Sequence, residues 1–226
     1  MKVTLAVLAY GNVFPGTVAC AMREVAGGVW DVFLSNKDAA VDRARSKIAT
    51  RALDEGFDVC VMVDHDLTWE PGDLGHIAAK AHETGGIVGG LVSKRQFGQG
   101  FGGRFGDGEP HRLYSDDFVC LGPTGFVGGA FTAYHRSALE RIQEHHKLPR
   151  TRDGMVPFFL PTLVYSNRLK AWEYLSEDWS ACWRAHEAGV PVHVAMRPRV
   201  VHHGLYGFTL HDGAGRQDAT HVADVA

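Results

Sequence analysis

The chain reads as a single α/β domain built on a mostly parallel sheet flanked by helices. Two observations predict this. Apolar, strand-like runs alternate with helical patterns through the first ninety residues, which argues for parallel strands joined by crossover helices. The chain has 226 residues, 45% of them hydrophobic and 22% charged, enough for one sizeable core.

Each element follows in order. Residues 2–9 read as a buried strand, and Pro15 suits the first turn of a helix through "TVACAMREVA". Residues 29–34 read as a second strand. Across 38–54, Val41, Ala44, Ile48 and Ala52 recur at helical spacing, with Gly56 as a C-terminal cap. Residues 59–63 form a third strand, 71–83 a helix that stops near Gly85 and Gly86, and 87–91 a fourth strand. The stretch 97–110, "FGQGFGGRFGDGEP", is glycine-rich with Phe and Arg interleaved and reads as a mobile loop. "GPTGFVGGAFTAYHRSALERI" reads as turn, strand and helix, and "PFFLPTLVYS" as an irregular extended segment. "SEDWSACWRAHEAG" reads as a helix with Ser176 as N-cap and Gly189 past its end. Short strands follow around Val192 and Val200. Residues 1–206 then form the domain and 207–226 a polar C-terminal tail. No internal repeat is present.

Bulk properties exclude several classes. The formal net charge of -3 gives no global basic field that would draw the chain to nucleic acid or a membrane. Four cysteines occur without a C-x-x-C pair, so neither a disulfide framework nor a zinc cluster is indicated. Cys20, Cys60 and Cys182 read as buried free thiols. The first apolar run is stopped by Gly11, Asn12 and Pro15. It is too short to span a bilayer and reads as a strand rather than a signal peptide. A reducing cytoplasm fits these features.

The chemistry concentrates at "VCVMVDHDLTWEP", where an apolar strand ends in Asp64 and Asp66 around His65. Ligands of open α/β sheets sit outside the carboxyl ends of the strands. Two carboxylates there can cap a turn, with Asp66 or Thr68 capping the helix near Pro71. They can hold Mg²⁺ or Mn²⁺ against a phosphate. They also satisfy the Asp-x-Asp-x-Thr pattern of haloacid-dehalogenase-type phosphatases, with Asp64 as nucleophile and Asp66 as acid/base. That motif normally ends the first strand of its fold, whereas two strand–helix units precede it here, and no later Gly-Asp-x-x-x-Asp run follows. Neither a P-loop nor a G-x-G-x-x-G after the first strand is present, so a nucleoside diphosphate needs a metal to neutralise it.

Four segments resemble a GT-A glycosyltransferase of the broad family-2-like type often encoded by bacteriophages. They are "VDRARSKIATRALDEGFDVCVMVDHD", "GGIVGGLVSKR", "CLGPTGFVGGAFTAYHRSALERI" and "EDWSACWRAHEAGVPVHVAMRPRVVHHG". The resemblance runs over residues 2–204, with two departures. Ser46 stands where Asn usually follows the Arg, and Pro123 is inserted in the Gly-Thr-Gly segment. It implies a GT-A (Rossmann-like) fold and a metal-dependent, inverting transferase that takes a sugar from a nucleotide-sugar, a UDP-sugar, with Mn²⁺ or Mg²⁺.

The resemblance also assigns roles. Asp66 coordinates the metal, and Asp64 contacts the ribose or a metal-bound water. A histidine of "VVHHG" is the further ligand, and the His-x-Gly spacing favours His202 over His203. Asp178 is the catalytic base and Glu177 its neighbour at the acceptor. Both also favour a helix N-terminus electrostatically. Tyr10, Asn36, Arg45 and Gly125 lie on the donor side. Trp179 either stacks on a sugar or base or fills core.

Relatives of this type act on hydroxymethylated pyrimidines in DNA, on glycans or on proteins. Locally, "RIQEHHKLPRTR" at 141–152 is basic, and Lys94, Arg95 and Arg104 interleave with Phe97, Phe101 and Phe105. Such a loop can hold phosphates and stack on a displaced base, which places Arg95 and Phe101 at the acceptor. Glycine-rich aromatic loops also bind sugars. A non-catalytic sugar- or nucleotide-binding domain is the non-enzymatic alternative.

Overall fold

The computed structural model describes residues 1–27, 30–35, 38–98, 100–105, 111–167, 169–214 and 221–222. The chain opens with β1 (Val3–Leu8), α1 (Pro15–Ala26), β2 (Trp30–Ser35), α2 (Val41–Asp54) and β3 (Val59–Asp64). Next come β4 (Leu67–Thr68), α3 (Asp73–Thr84), β5 (Ile87–Gly90), β6 (Gly103–Arg104), β7 (His111–Arg112), β8 (Phe118–Cys120) and β9 (Phe126–Val127). The strand β10 (Phe131–His135) feeds α4 (Arg136–His146), and a hairpin of β11 (Thr162–Ser166) and β12 (Ala171–Leu175) leads into α5 (Glu177–Glu187). The last elements are β13 (Val192–Ala195), β14 (Val201–His203), β15 (Gly207–Phe208), α6 (Leu210–Ala214) and β16 (His221–Val222).

The central sheet has seven strands in the order β2-β1-β3-β10-β5-β13-β8. The fold is a single α/β domain, but its sheet is mixed rather than mostly parallel. β1 runs parallel to β2 and β3, and β13 parallel to β5. β10 lies antiparallel between β3 and β5, and β8 antiparallel to β13. The cause is local. β9 and β10 are joined by Gly128–Gly129–Ala130 with no crossover helix, so the chain enters β10 at the end where β3 exits. A strand entered from that end must run antiparallel to its neighbour.

Successive side chains of a strand point to opposite faces, and this splits the core in two. Cys60 and Met62 of β3, with Ala6 and Leu8 of β1, face one cluster that includes Ile48, Tyr134 and Phe159. Val59, Val61 and Val63, with Val3, Leu5 and Val7, face the other, which includes Cys20, Leu74, Ile77 and Phe131. Burial on both faces is why these strands are continuous apolar runs. Cys20, Cys60 and Cys182 are buried free thiols, and Cys120 is exposed.

The helices start and stop near the expected positions. α3 has Gly72 as N-cap; Asp66 and Thr68 are engaged elsewhere. The expected irregular segment around Pro161 contains β11, paired residue for residue with β12. Within the stretch read as a polar tail, Gly207–Phe208 pairs with β14, and Leu210 is fully buried. No helix among the described residues is long and apolar enough to cross a membrane.

Candidate functional site

The carboxyl end of β3 delivers Asp64, and the tight turn into β4 delivers Asp66. β14 pairs antiparallel with β4, which brings His202 opposite Leu67, and His203 N–H donates to the Asp66 carbonyl at 2.8 Å. Backbone pairing therefore fixes Asp66 and His202 side by side. His202 Nε2 stands 3.4 Å from Asp66 Oδ2. Its Nδ1 lies 2.8 Å from the Ser93 carbonyl oxygen, which can only accept. That bond places a proton on Nδ1 and makes Nε2 the nitrogen that faces Asp66, as an N–H donor when the ring is protonated and as a lone pair when it is neutral.

The two shifts agree with an ion pair. Burial pushes the Asp66 pKa up, but the hydrogen bond and charge of His202, with His65 and Arg95, hold it below its ordinary value. Burial pushes His202 down, and Asp66 and the Ser93 carbonyl reverse this to an elevated value. His203 is otherwise occupied: its Nε2 pairs with Thr68 Oγ1 at 2.8 Å, and its ring stacks on Phe14 at 4.2 Å.

A carboxylate and an imidazole suit a divalent cation whose remaining positions are filled by phosphate oxygens and water. The pair fits that use. Among the described residues, no group of three or more His, Cys, Asp or Glu stands together to hold a metal without such help. Arg95, expected at the acceptor, instead bonds Asp66 Oδ2 at 2.9 Å from a half-exposed position.

A second cluster adjoins the first. Arg45 on α2 is 2% exposed. Its Nη2 donates to Asp64 Oδ1 at 2.8 Å, and its Nη1 donates to the Gly129 carbonyl. Among the described residues its Nε has no hydrogen-bond partner, and it faces Glu177 Oε1 at 3.7 Å. Burial opposes the Arg45 charge, and Asp64, Tyr134, Glu177 and Asp178 together outweigh it. Arg45 thus reaches Asp64 and the start of α5 rather than solvent.

Gly129 is the hinge of this cluster. Its N–H donates to Asp178 Oδ2 at 3.0 Å while its carbonyl accepts from Arg45. A Cβ at 129 would stand 2.8 Å from the Arg45 guanidinium carbon, so a larger residue there would have to displace the guanidinium. Gly129 and Ser93 are absent from the sequence-based candidates. The Gly128–Gly129 pair before an apolar strand is the one signal that marks a close backbone approach.

The remaining candidates are dispersed. Tyr10 is 68% exposed beyond the end of β1. Asn36 lies outside the described residues. Gly125 sits in the turn before β9, and its carbonyl lies 2.8 Å from His186 Nε2. Trp179 is half-buried against Phe126, with the Arg104 guanidinium over both rings. Arg104 also pairs with Glu173 of β12 at 2.7 Å. Phe101 is buried in the core, so its ring has no face open to an acceptor; Phe97 is the exposed aromatic of that loop. The basic segment 141–152 is partly committed internally. Arg141 donates to the Ala188 and Gly189 carbonyls past α5, and Arg150 pairs with Asp54. A separate polar cavity of about 510 Å³, lined in part by Asp73, Asp116, Arg197 and Arg199, contains none of these candidates.

No family model matches the chain, and no curated protein sequence matches it. Solved structures do. The crystal structure of A197 from STIV matches with a TM-score of 0.61 at 16% identity, over 90% of this chain and 86% of that one. GalNAc-T7, crystallised with UDP, GalNAc and Mn²⁺, matches with a TM-score of 0.53 at 10% identity, over 89% of this chain and 43% of that one. At these identities the likeness is one of fold: the chain has a GT-A-like fold, shared with these two proteins.

Proposed function

We propose that the chain is a metal-dependent glycosyltransferase of the family-2-like type. It would move a sugar from a nucleotide-sugar, a UDP-sugar, to an acceptor hydroxyl with inversion. The observation that carries this reading is the Asp66–His202 pair, with the imidazole tautomer set by the Ser93 carbonyl, at the carboxyl edge of β3. The fold shared with GalNAc-T7, whose crystal structure holds UDP, GalNAc and Mn²⁺, supports a nucleotide-sugar donor.

Asp66 and His202 would hold Mn²⁺ or Mg²⁺, which supplies positive charge for the diphosphate as it leaves. Arg95, bonded to Asp66 and half-exposed, stands where a second cation can face the phosphates. Asp64 is oriented by Arg45, suiting it to a ribose hydroxyl or a water. The carboxylates Glu177 and Asp178 at the start of α5 supply the base that an inverting transfer needs.

The test is incubation with Mn²⁺ and a panel of sugar nucleotides, reading release of free nucleoside diphosphate. Release from one or more donors, abolished by chelation, is expected. Release from none overturns the reading. With the active donor, labelled sugar is then offered to DNA containing 5-hydroxymethylcytosine or 5-hydroxymethyluracil, to unmodified DNA, and to glycans and proteins. Labelling of modified but not unmodified DNA identifies the DNA acceptor.

A further inference from the structure

The two adjacent carboxylates at the start of α5 have different surroundings. Asp178 is saturated. Its Oδ2 accepts from Gly129 N–H at 3.0 Å, and its Oδ1 accepts from Trp179 N–H at 2.8 Å and from the Ser176 hydroxyl. Those bonds fasten the first turn of α5 to the Gly129 peptide, and through it to Arg45. A carboxylate that already accepts three hydrogen bonds has little capacity left for a reacting hydroxyl.

Glu177 is the opposite case. Among the described residues its carboxylate accepts no hydrogen bond from any other residue, and its nearest ion-pair partner is Arg45 Nε at 3.7 Å. Its side chain is 18% exposed, so a ligand can reach it. The charged groups around it are Arg45 from α2, Asp64 from the end of β3 and Asp178 from its own helix. Burial first, and then the Asp178 charge, push its pKa above the ordinary glutamate value, against the pull of Arg45. A base of raised affinity for a proton is the better proton acceptor, provided it is still ionised at the working pH.

We infer that Glu177 takes the proton of the acceptor hydroxyl, and that Asp178 is a positioning residue that fixes α5 against Gly129. This rests on the glycosyltransferase reading. In the step, a lone pair of the acceptor oxygen forms the new bond to the anomeric carbon. The bond from that carbon to the diphosphate oxygen breaks, and its electron pair leaves on the diphosphate. The hydroxyl proton passes to a Glu177 oxygen.

The experiment compares E177Q, E177D and D178N with the wild-type chain, using Mn²⁺, the donor identified by diphosphate release and its acceptor. E177Q should bind UDP with Mn²⁺ as the wild type does and lose at least about a hundredfold in kcat. E177D should recover part of that loss. The wild-type kcat should fall on the acid side with an apparent pKa above the ordinary glutamate range. D178N should keep that acid limb, lose less kcat than E177Q and unfold at a lower temperature. Wild-type turnover in E177Q, or loss of the acid limb in D178N alone, overturns the assignment and returns the base to Asp178. A wild-type chain that cleaves no sugar nucleotide overturns the glycosyltransferase reading itself, and this assignment with it.

Discussion

His202 and His203 are adjacent in sequence, yet their side chains face different neighbours because β14 alternates its faces. His202 turns to Asp66, with Ser93 behind it, whereas His203 packs on Phe14 and Thr68. Asp66→Ala and His202→Ala should each abolish Mn²⁺-dependent UDP binding in calorimetry, since each would remove one of the two proposed metal ligands. His203→Ala should keep that binding and lower stability by about 1 kcal/mol, for one hydrogen bond and one stacked ring. Loss of metal-dependent binding only in His203→Ala would exchange the two histidines. Asp64 and Asp66 stand out in the sequence because they end an apolar strand; His202 was singled out through the family resemblance, and the structure sets it beside Asp66. The role of Arg45 was not legible. It shares its helix with Arg43, Lys47 and Arg51, and its partner Gly129 lies 84 residues away in sequence. Ser46, a departure from the expected Asn, also has a specific contact: its hydroxyl accepts the Phe159 N–H at 3.2 Å.

At the scale of the element, α2 has two working ends. Its N-cap, Ala40, makes no side-chain bond. Asp38 compensates by accepting from the Ala40 N–H, Arg43 and Lys47. The Arg43 guanidinium, opposed by burial and helped by Lys47, holds the Asp38 carboxyl far below its ordinary range. A depressed pKa contributes stability above the unfolded value, and the contribution is lost as pH falls through the folded one. Wild type should therefore lose its advantage over Asp38→Asn progressively below about pH 4, the unfolded aspartate value. A difference in denaturant midpoint unchanged from pH 7 to pH 2 would refute this. The far side of α2 holds the segment 156–159, where Phe159 is fully buried. Phe159→Ala should cost about 3–5 kcal/mol in chemical denaturation; a cost below 1 kcal/mol would mean that the segment is not fixed to the core. The helices were legible from their periodicity. The β11–β12 hairpin was not, because its alternation is inverted: Leu163, Tyr165, Trp172 and Tyr174 face solvent, while Val164 and Leu175 pack inward.

For the molecule as a whole, the alternating strands and helices fixed the class, but not the direction of every strand. β10 reads like any buried strand, and only the absence of a crossover helix before it reveals that it runs backwards. That reversal places Ala130 beside Asp64, whose N–H donates to its carbonyl at 2.9 Å, and so joins the two halves of the site. The hairpin has a consequence of another kind. β11 and β12 form a two-stranded sheet of their own. Its outer surface places Leu163 opposite Tyr174 and Tyr165 opposite Trp172, all four about half or more exposed. A ribbon with open edges and an oily face governs how molecules collide at high concentration. Light scattering should give a second virial coefficient showing net attraction despite the formal charge of -3. The double substitution Trp172→Lys and Tyr174→Lys should move it towards repulsion and raise the solubility limit, while leaving Mn²⁺-dependent UDP binding intact.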